Sequence, residues 1–137
     1  MASLCVCDSQ KLFDDCCGRF LTGGQQAKTP EQLMRSRYSA YALGNYGEYL
    51  LRTWFPATAR GLTAEKLSLR SCDWLGLEII AKEQKGDQGM VEFRASFSDE
   101  NGLRQTMHEK SVFQRIAGSW LYVGGEVSSS VDSIPPE

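Results

Sequence analysis

The chain has 137 residues, 42% of them hydrophobic and 23% charged, enough for one sizeable buried core and too few for two. A formal net charge of −2 and a pI near 5.5 exclude a protein dominated by phosphate contacts, so nucleic acid is not an expected partner. The longest apolar runs, such as LGLEII, are strand-length, whereas a membrane span needs about 20 apolar residues, and MASLCVC lacks the basic and apolar segments of a secretion signal. A cytoplasmic, thiol-reducing location is therefore expected.

In chain order, the first feature is CVCDSQKLFDDCC, which crowds Cys5, Cys7, Cys16 and Cys17 into thirteen residues. In a reducing compartment such cysteines are metal ligands, catalytic thiols or small hydrophobes. The C-x-x-C spacing of a thioredoxin-like site is absent, and two disulfides in so short a segment suit a secreted miniprotein better. A tetrahedral metal such as zinc takes two short-spaced soft pairs brought together by a turn, and C-x-C followed after eight residues by C-C is such an arrangement. A structural Zn2+ site is the favoured reading, with buried or redox-active thiols as the alternative. DSQKLFDD is expected to form a turn and one short helix, with Ser9 as N-cap and Leu12 and Phe13 packing inward. Such a segment has little core of its own, so the metal supplies its folding energy. Lys11 and Arg19 against Asp8, Asp14 and Asp15 leave the segment at −1, a poor surface for nucleic acid.

Thr29, Pro30 and Gln32 then read as a capping box with proline at the first helical position, opening a helix that runs to Gly44 as C-cap. A second helix fits YGEYLLRTW, ended by Pro56, and a third fits TAEKLSL. Cys72, alone in RSCDW, reads as a half-buried packing residue. After Trp74 the apolar period becomes two. LEIIAKEQ, GMVEFRASF, LRQTMHEKSVFQRI and SWLYVGG read as strands joined by the turn clusters KGDQG, DENG and AGS. Helices followed by an antiparallel meander make an α+β plan, and residues 128–137 read as a disordered polar tail.

CVCDSQKLFDDCCGRFL resembles the SEC-C zinc-binding motif, known from the C-terminus of the preprotein translocase motor, whose usual form is C-P-C-G-S-G, a basic-aromatic stretch, then C-C or C-H and Gly. TPEQLMRSRYSAY, YLLRTW before Pro56, HEKSVF and WLYVGG resemble the YchJ-like bacterial family, which joins this motif to a nuclear transport factor two-like (NTF2-like) domain. The resemblance covers residues 4 to 125. It implies a zinc knuckle over 1–24 and, over 25–127, a cone of helices packed on a curved antiparallel sheet, but no reaction. Val6, Asp8 and Gln10 replace the proline and two glycines of the motif, so its turn has to tolerate side chains there. Asp14 and Asp15 replace its basic residues and argue against docking on an acidic chaperone or ribosomal RNA.

On the first long helix, Leu33, Met34, Ala40 and Tyr41 form one stripe with Arg37 in its middle, while Arg35, Ser36 and Ser39 lie opposite and are expected to be solvated. Val91, Phe93, Ala95 and Phe97 share one strand face, as do Met107, Glu109, Ser111 and Phe113 on the next. Arg37 and Glu109 are therefore charges on apolar faces, and the economical expectation is a direct ion pair inside the cone. Such a pair would either fix helix against sheet or anchor a ligand pocket lined by Tyr38, Tyr41, Trp54, Trp74 and Ser111. His108 falls on the outer face, away from Glu109, and HEKS lacks the second histidine of a zinc protease motif. Two functions follow: a zinc-binding adaptor for a protein partner or small ligand, or an isomerase- or dehydratase-like enzyme using Glu109 and Arg37, the latter by fold analogy alone. An open cavity reaching Glu109 favours ligand or catalysis; a filled one favours the adaptor. The cone, having a core of its own, is expected to survive loss of the knuckle.

Overall fold

The structure, a computed structural model, describes residues 3–68 and 73–131. Residues 5–21 are the cysteine segment. It holds a single 3-10 turn, Phe13–Asp15, between the two cysteine pairs and a one-turn helix α1, Gly18–Leu21, after them. The expected helix between the pairs is thus shorter. Leu12, not Ser9, precedes the turn and is exposed, because the backbone of Leu12 pairs with Leu4 at the surface; Phe13 packs on the core as expected.

Helix α2, Pro30–Leu43, begins and ends where its caps dictate. Thr29 Oγ1 accepts from the Gln32 amide at 3.1 Å, and Gly44, at φ 76°, takes the left-handed turn that ends the helix. The Gln32 side chain reaches back one residue further than a capping box requires, accepting from the Lys28 amide at 2.8 Å. Helix α3, Gly47–Arg52, lies against α4, Ala64–Leu67, so closely that a Cβ on Gly47 would stand 1.8 Å from the Ala64 carbonyl oxygen. Leu69, the end of the expected third helix, and Cys72 lie outside the described residues.

Four antiparallel strands follow in simple order: β1 Asp73–Lys85, β2 Gln88–Ser98, β3 Arg104–Ile116 and β4 Ser119–Val131. Strand β4 runs four residues past the boundary expected at 127, because 127–131 continue the ladder opposite 105–109. Three residues are left out of the pairing, Leu75 and Ile80 in β1 and Val123 in β4. Each such bulge bends its strand and increases twist, which curves the sheet around α2. The inner face carries Leu77, Val91, Phe93, Ala95, Phe113 and Trp120, all buried against Leu33, Met34 and Tyr38 of α2.

Helix α2 is buried on a second face as well. Ser36 and Ser39, expected in solvent, have no exposed surface, and the Arg35 side chain is only 20% exposed. The cysteine segment covers this side: Cys5, Cys7, Cys16 and Cys17 belong to the same buried cluster as Leu33 and Leu50. Knuckle and cone therefore share one core, and the expectation of a separable knuckle is corrected.

Candidate functional sites: a cysteine centre and an aromatic cavity

The cysteine centre is built by two turns. In the first, Asp8 and Gln10 both take positive φ, 63° and 69°, where the related motif has glycine. Asp8 turns its side chain to use: Oδ2 accepts from the Leu77 amide at 2.9 Å, fastening the turn to β1. The second pair sits between the 3-10 turn and α1.

The four Sγ atoms lie within 4.8 Å of one another and all four cysteines are buried and free of disulfides. A tetrahedral ion with metal–sulfur bonds of about 2.3 Å holds its sulfurs about 3.8 Å apart. Cys7 and Cys16 stand at 3.6 Å and Cys16 and Cys17 at 4.0 Å, so the donor set fits a metal ion. Shared hydrogen bonding among the thiols draws Cys5 far down and pushes Cys17 far up from ordinary thiol values. Four thiolates crowded this closely need a cation to ionise together.

Around the sulfurs stand groups that favour negative charge there. Ser9 Oγ is 3.1 Å from Cys16 Sγ and Ser39 Oγ is 3.6 Å from Cys5 Sγ. Arg35 Nη1 donates to the Cys7 carbonyl at 2.7 Å and lies 3.8 Å from Cys7 Sγ, while its Nε pairs with Glu31 at 2.9 Å. Sequence reasoning missed Arg35 and Ser39 because one helix stripe had already been given to the cone.

A second feature is a cavity of about 210 Å3 between α2 and the inner face of the sheet. The structure brings Arg37, Tyr38, Tyr41, Trp54, Trp74, Glu109 and Ser111 together around it. Met34, Phe93, Ala95, Met107, Phe113 and Tyr122 complete the wall. Tyr41, Trp54, Trp74, Met107 and Tyr122 are half-buried, so the cavity reaches solvent between them, whereas Phe93, Ala95, Ser111 and Phe113 are buried.

The expected Arg37–Glu109 ion pair does not form. Among the described residues no carboxylate lies within ion-pair distance, 4.0 Å, of the Arg37 guanidinium. Arg37 Nη1 instead donates to the Leu50 carbonyl and to Thr53 Oγ1, both at 2.7 Å, capping the C-terminal turn of α3. The guanidinium carbon lies 4.6 Å from the Trp54 ring centre and 4.7 Å from that of Tyr122. Burial lowers the pKa of Arg37; the side chain stays charged, since arginine titrates far above neutrality.

Glu109, 7% exposed, takes its partners from neighbouring strand positions. Ser111 Oγ and Tyr122 Oη both donate to its Oε2, at 2.5 and 2.8 Å. Burial, then the adjacent Glu109 carboxylate, holds the Tyr122 phenol well above the usual tyrosine range. Tyr122 shares the face of buried Trp120 by strand alternation, a signal present in SWLYVGG. With Val123 unpaired, Phe113 faces Tyr122 while Ser111 faces Gly125, which brings Gly125 onto the inner face beside it. Gly125 leaves room for the carboxylate: a Cβ there would stand 2.6 Å from Glu109 Oε2. His108 points outward as expected and pairs with Glu92 at 2.7 Å.

A curved meander over a long helix, carrying an N-terminal cysteine knuckle, defines the chain as an NTF2-like domain protein of the SEC-C class. Residues 29–125 match the family described as YchJ, middle NTF2-like domain, and the chain belongs to that family. It is 40% identical over 130 residues to a UPF0225 protein of Sodalis glossinidius, covering 91% of this chain and 84% of the other. A UPF0225 protein of Streptomyces coelicolor is 39% identical over 125 residues, covering 89% and 94%. Among solved structures, a SEC-C motif containing protein from Rhodopseudomonas palustris superposes with a TM-score of 0.81 at 39% identity, covering 89% of this chain and 96% of that one. Among the described residues no helix is long and apolar enough to cross a membrane.

Proposed function

We propose that the protein is a cytoplasmic zinc-bearing adaptor whose knuckle is structural and whose cone binds a small ligand. Four sulfur donors leave no open position for substrate on a tetrahedral ion, and an all-cysteine set suits zinc. When bound, the ion would offset two of the four thiolate charges and tie the two turns together; Cys5, Cys7, Cys16 and Cys17 would hold it. A reducing compartment keeps those thiols available.

The observation that carries the ligand reading is the open cavity reaching Glu109. A filled cone would have left only surfaces for a protein partner. The test is native mass spectrometry of the full chain purified from cells, compared with its denatured mass and with Ala95→Leu, which fills the cavity from its wall. One zinc ion in both proteins and a small-molecule adduct in the wild type alone are expected. Absence of any adduct, together with cavity resonances unmoved by a small-molecule screen, would leave a protein partner as the adaptor's target.

A second reading, an enzyme using Glu109 as base with Arg37 in the same cavity, is favoured by the arrangement of the carboxylate, which has one oxygen held by two donors and the other without a partner among the described residues. Exchange of an acidic C–H of a bound ligand with deuterated water, lost in Glu109→Gln, would establish it.

A further inference from the structure

We propose that the ligand of this cavity is an uncharged one- or two-ring molecule that donates a single hydrogen bond, through O–H or N–H, to Oε1 of Glu109. The inference rests on the ligand-binding reading above and adds the chemistry of the ligand.

The Glu109 end of the cavity offers an acceptor, Oε1. Ser111 and Tyr122 spend their protons on Glu109 Oε2. Among the described residues no hydrogen bond reaches Oε1 and no buried side-chain oxygen or nitrogen is left without a partner, so Oε1 opens onto the cavity that Glu109 lines. A carboxylate oxygen accepts hydrogen bonds and has none to donate. Among the described residues Arg37 makes no hydrogen bond to Glu109: its Nη1 is committed to Leu50 and Thr53 and its guanidinium lies against Trp54 and Tyr122. A ligand group placed against Oε1 has to donate.

Charge and size narrow the class further. Arg37 and Glu109 are the charged side chains of the lining, and they cancel. A cationic ligand would leave the small, largely apolar cavity at net +1 beside Arg37, and an anionic one would face the Glu109 carboxylate. The remaining wall is largely aromatic and aliphatic, with Tyr38 edge-on to Trp74 and Trp54 edge-on to Tyr122, a lining suited to a flat guest. A dry cavity of about 150 Å3 accommodates benzene. The 210 Å3 here therefore suits a single ring with a substituent or a compact bicycle.

Four probes test this on the full, metal-loaded chain: indole, its donor-free isostere benzofuran, benzamidinium and benzoate. Binding is read from the indole N–H resonances of Trp54 and Trp74. Trp120, whose Nε1 donates to the Lys28 carbonyl outside the cavity, serves as internal control. Indole should bind at least about tenfold more tightly than benzofuran, the effect of one hydrogen bond to a charged acceptor. The two ions should leave Trp54 and Trp74 unmoved at concentrations that saturate with indole. Glu109→Gln, checked for folding by an unshifted Trp120, should reduce the preference for indole to below about threefold. Equal binding of indole and benzofuran overturns the donor assignment while leaving the cavity a ligand site. Tighter binding of benzamidinium or benzoate overturns the charge assignment. No shift with any of the four overturns both this proposal and the ligand-binding reading beneath it.

Discussion

Tyr122→Phe is the sharpest probe of the cavity floor, because it deletes one oxygen and keeps the ring. The ring contacts, 4.7 Å to Arg37, 5.2 Å to Trp54 and 5.8 Å to Phe113, are all retained. What is lost is the 2.8 Å bond to Glu109 Oε2. A hydrogen bond to a charged acceptor contributes about 1.5–3 kcal/mol. Ser111 still donates to the same oxygen, and Tyr122 is only half-buried, so water can partly replace the hydroxyl. A loss of about 2 kcal/mol is therefore expected, from urea unfolding of the metal-loaded protein followed by circular dichroism and tryptophan fluorescence with an unchanged m-value. The Ser111→Ala and Tyr122→Phe changes should be coupled by at least about 0.5 kcal/mol, since they act on one carboxylate oxygen. A Tyr122→Phe variant as stable as the wild type, with no coupling to Ser111→Ala, would refute the account of how Glu109 is held.

Four other outcomes are expected. Metal analysis of freshly purified, reduced protein should give about one zinc per chain, and Cys16→Ser or chelation should lower hydrogen-exchange protection in α2 as well as in the knuckle, because Ser36 and Ser39 lose their cover. Arg37→Met should cost about 3 kcal/mol by removing the charged donor shared by the Leu50 carbonyl and Thr53 Oγ1, and a double-mutant cycle should couple it to Thr53→Val more strongly than to Glu109→Gln. Asp8→Ala should destabilise by about 1–2 kcal/mol through the lost bond to Leu77 and the positive φ, whereas Asp8→Gly, which loses the same bond but relieves the backbone, should cost less. Burial raises the pKa of Tyr41, Tyr49 and Tyr122 in the folded chain. The unfolded state then releases these protons first, so the stability present below about pH 10 should fall as pH rises beyond it, by up to about 1.4 kcal/mol per pH unit for each tyrosine, and Tyr122→Phe should flatten the slope.

Local chemistry in the chain determines a good deal of this protein by itself. The C-x-C and C-C pairs need only short turns to meet, so their convergence is legible from spacing. Thr29, Pro30 and Gly44 bound α2 through their own backbone preferences. Strict alternation in VEFRASF and MHEKSVF aims Phe93, Ala95, Glu109 and Ser111 inward whatever the sheet packs against. The stripe on α2 likewise directs Arg37, Tyr38 and Tyr41 toward the cavity. Tertiary structure decided what depends on distant partners. A helix stripe cannot reveal that the opposite side of α2 will be covered by the knuckle, because Ser36 and Ser39 are small and are satisfied equally by water, by Tyr49 or by a cysteine sulfur. The unpaired Val123 brings Gly125 onto the inner face beside Tyr122, and a one-residue shift in pairing has no signature in residue type. Periodicity put Arg37 and Glu109 on facing surfaces, yet it could not choose their partners. Arg37 found a helix terminus and two rings, Glu109 found two hydroxyls, and the carboxylate oxygen left over between them became available because neither charge had to use the other.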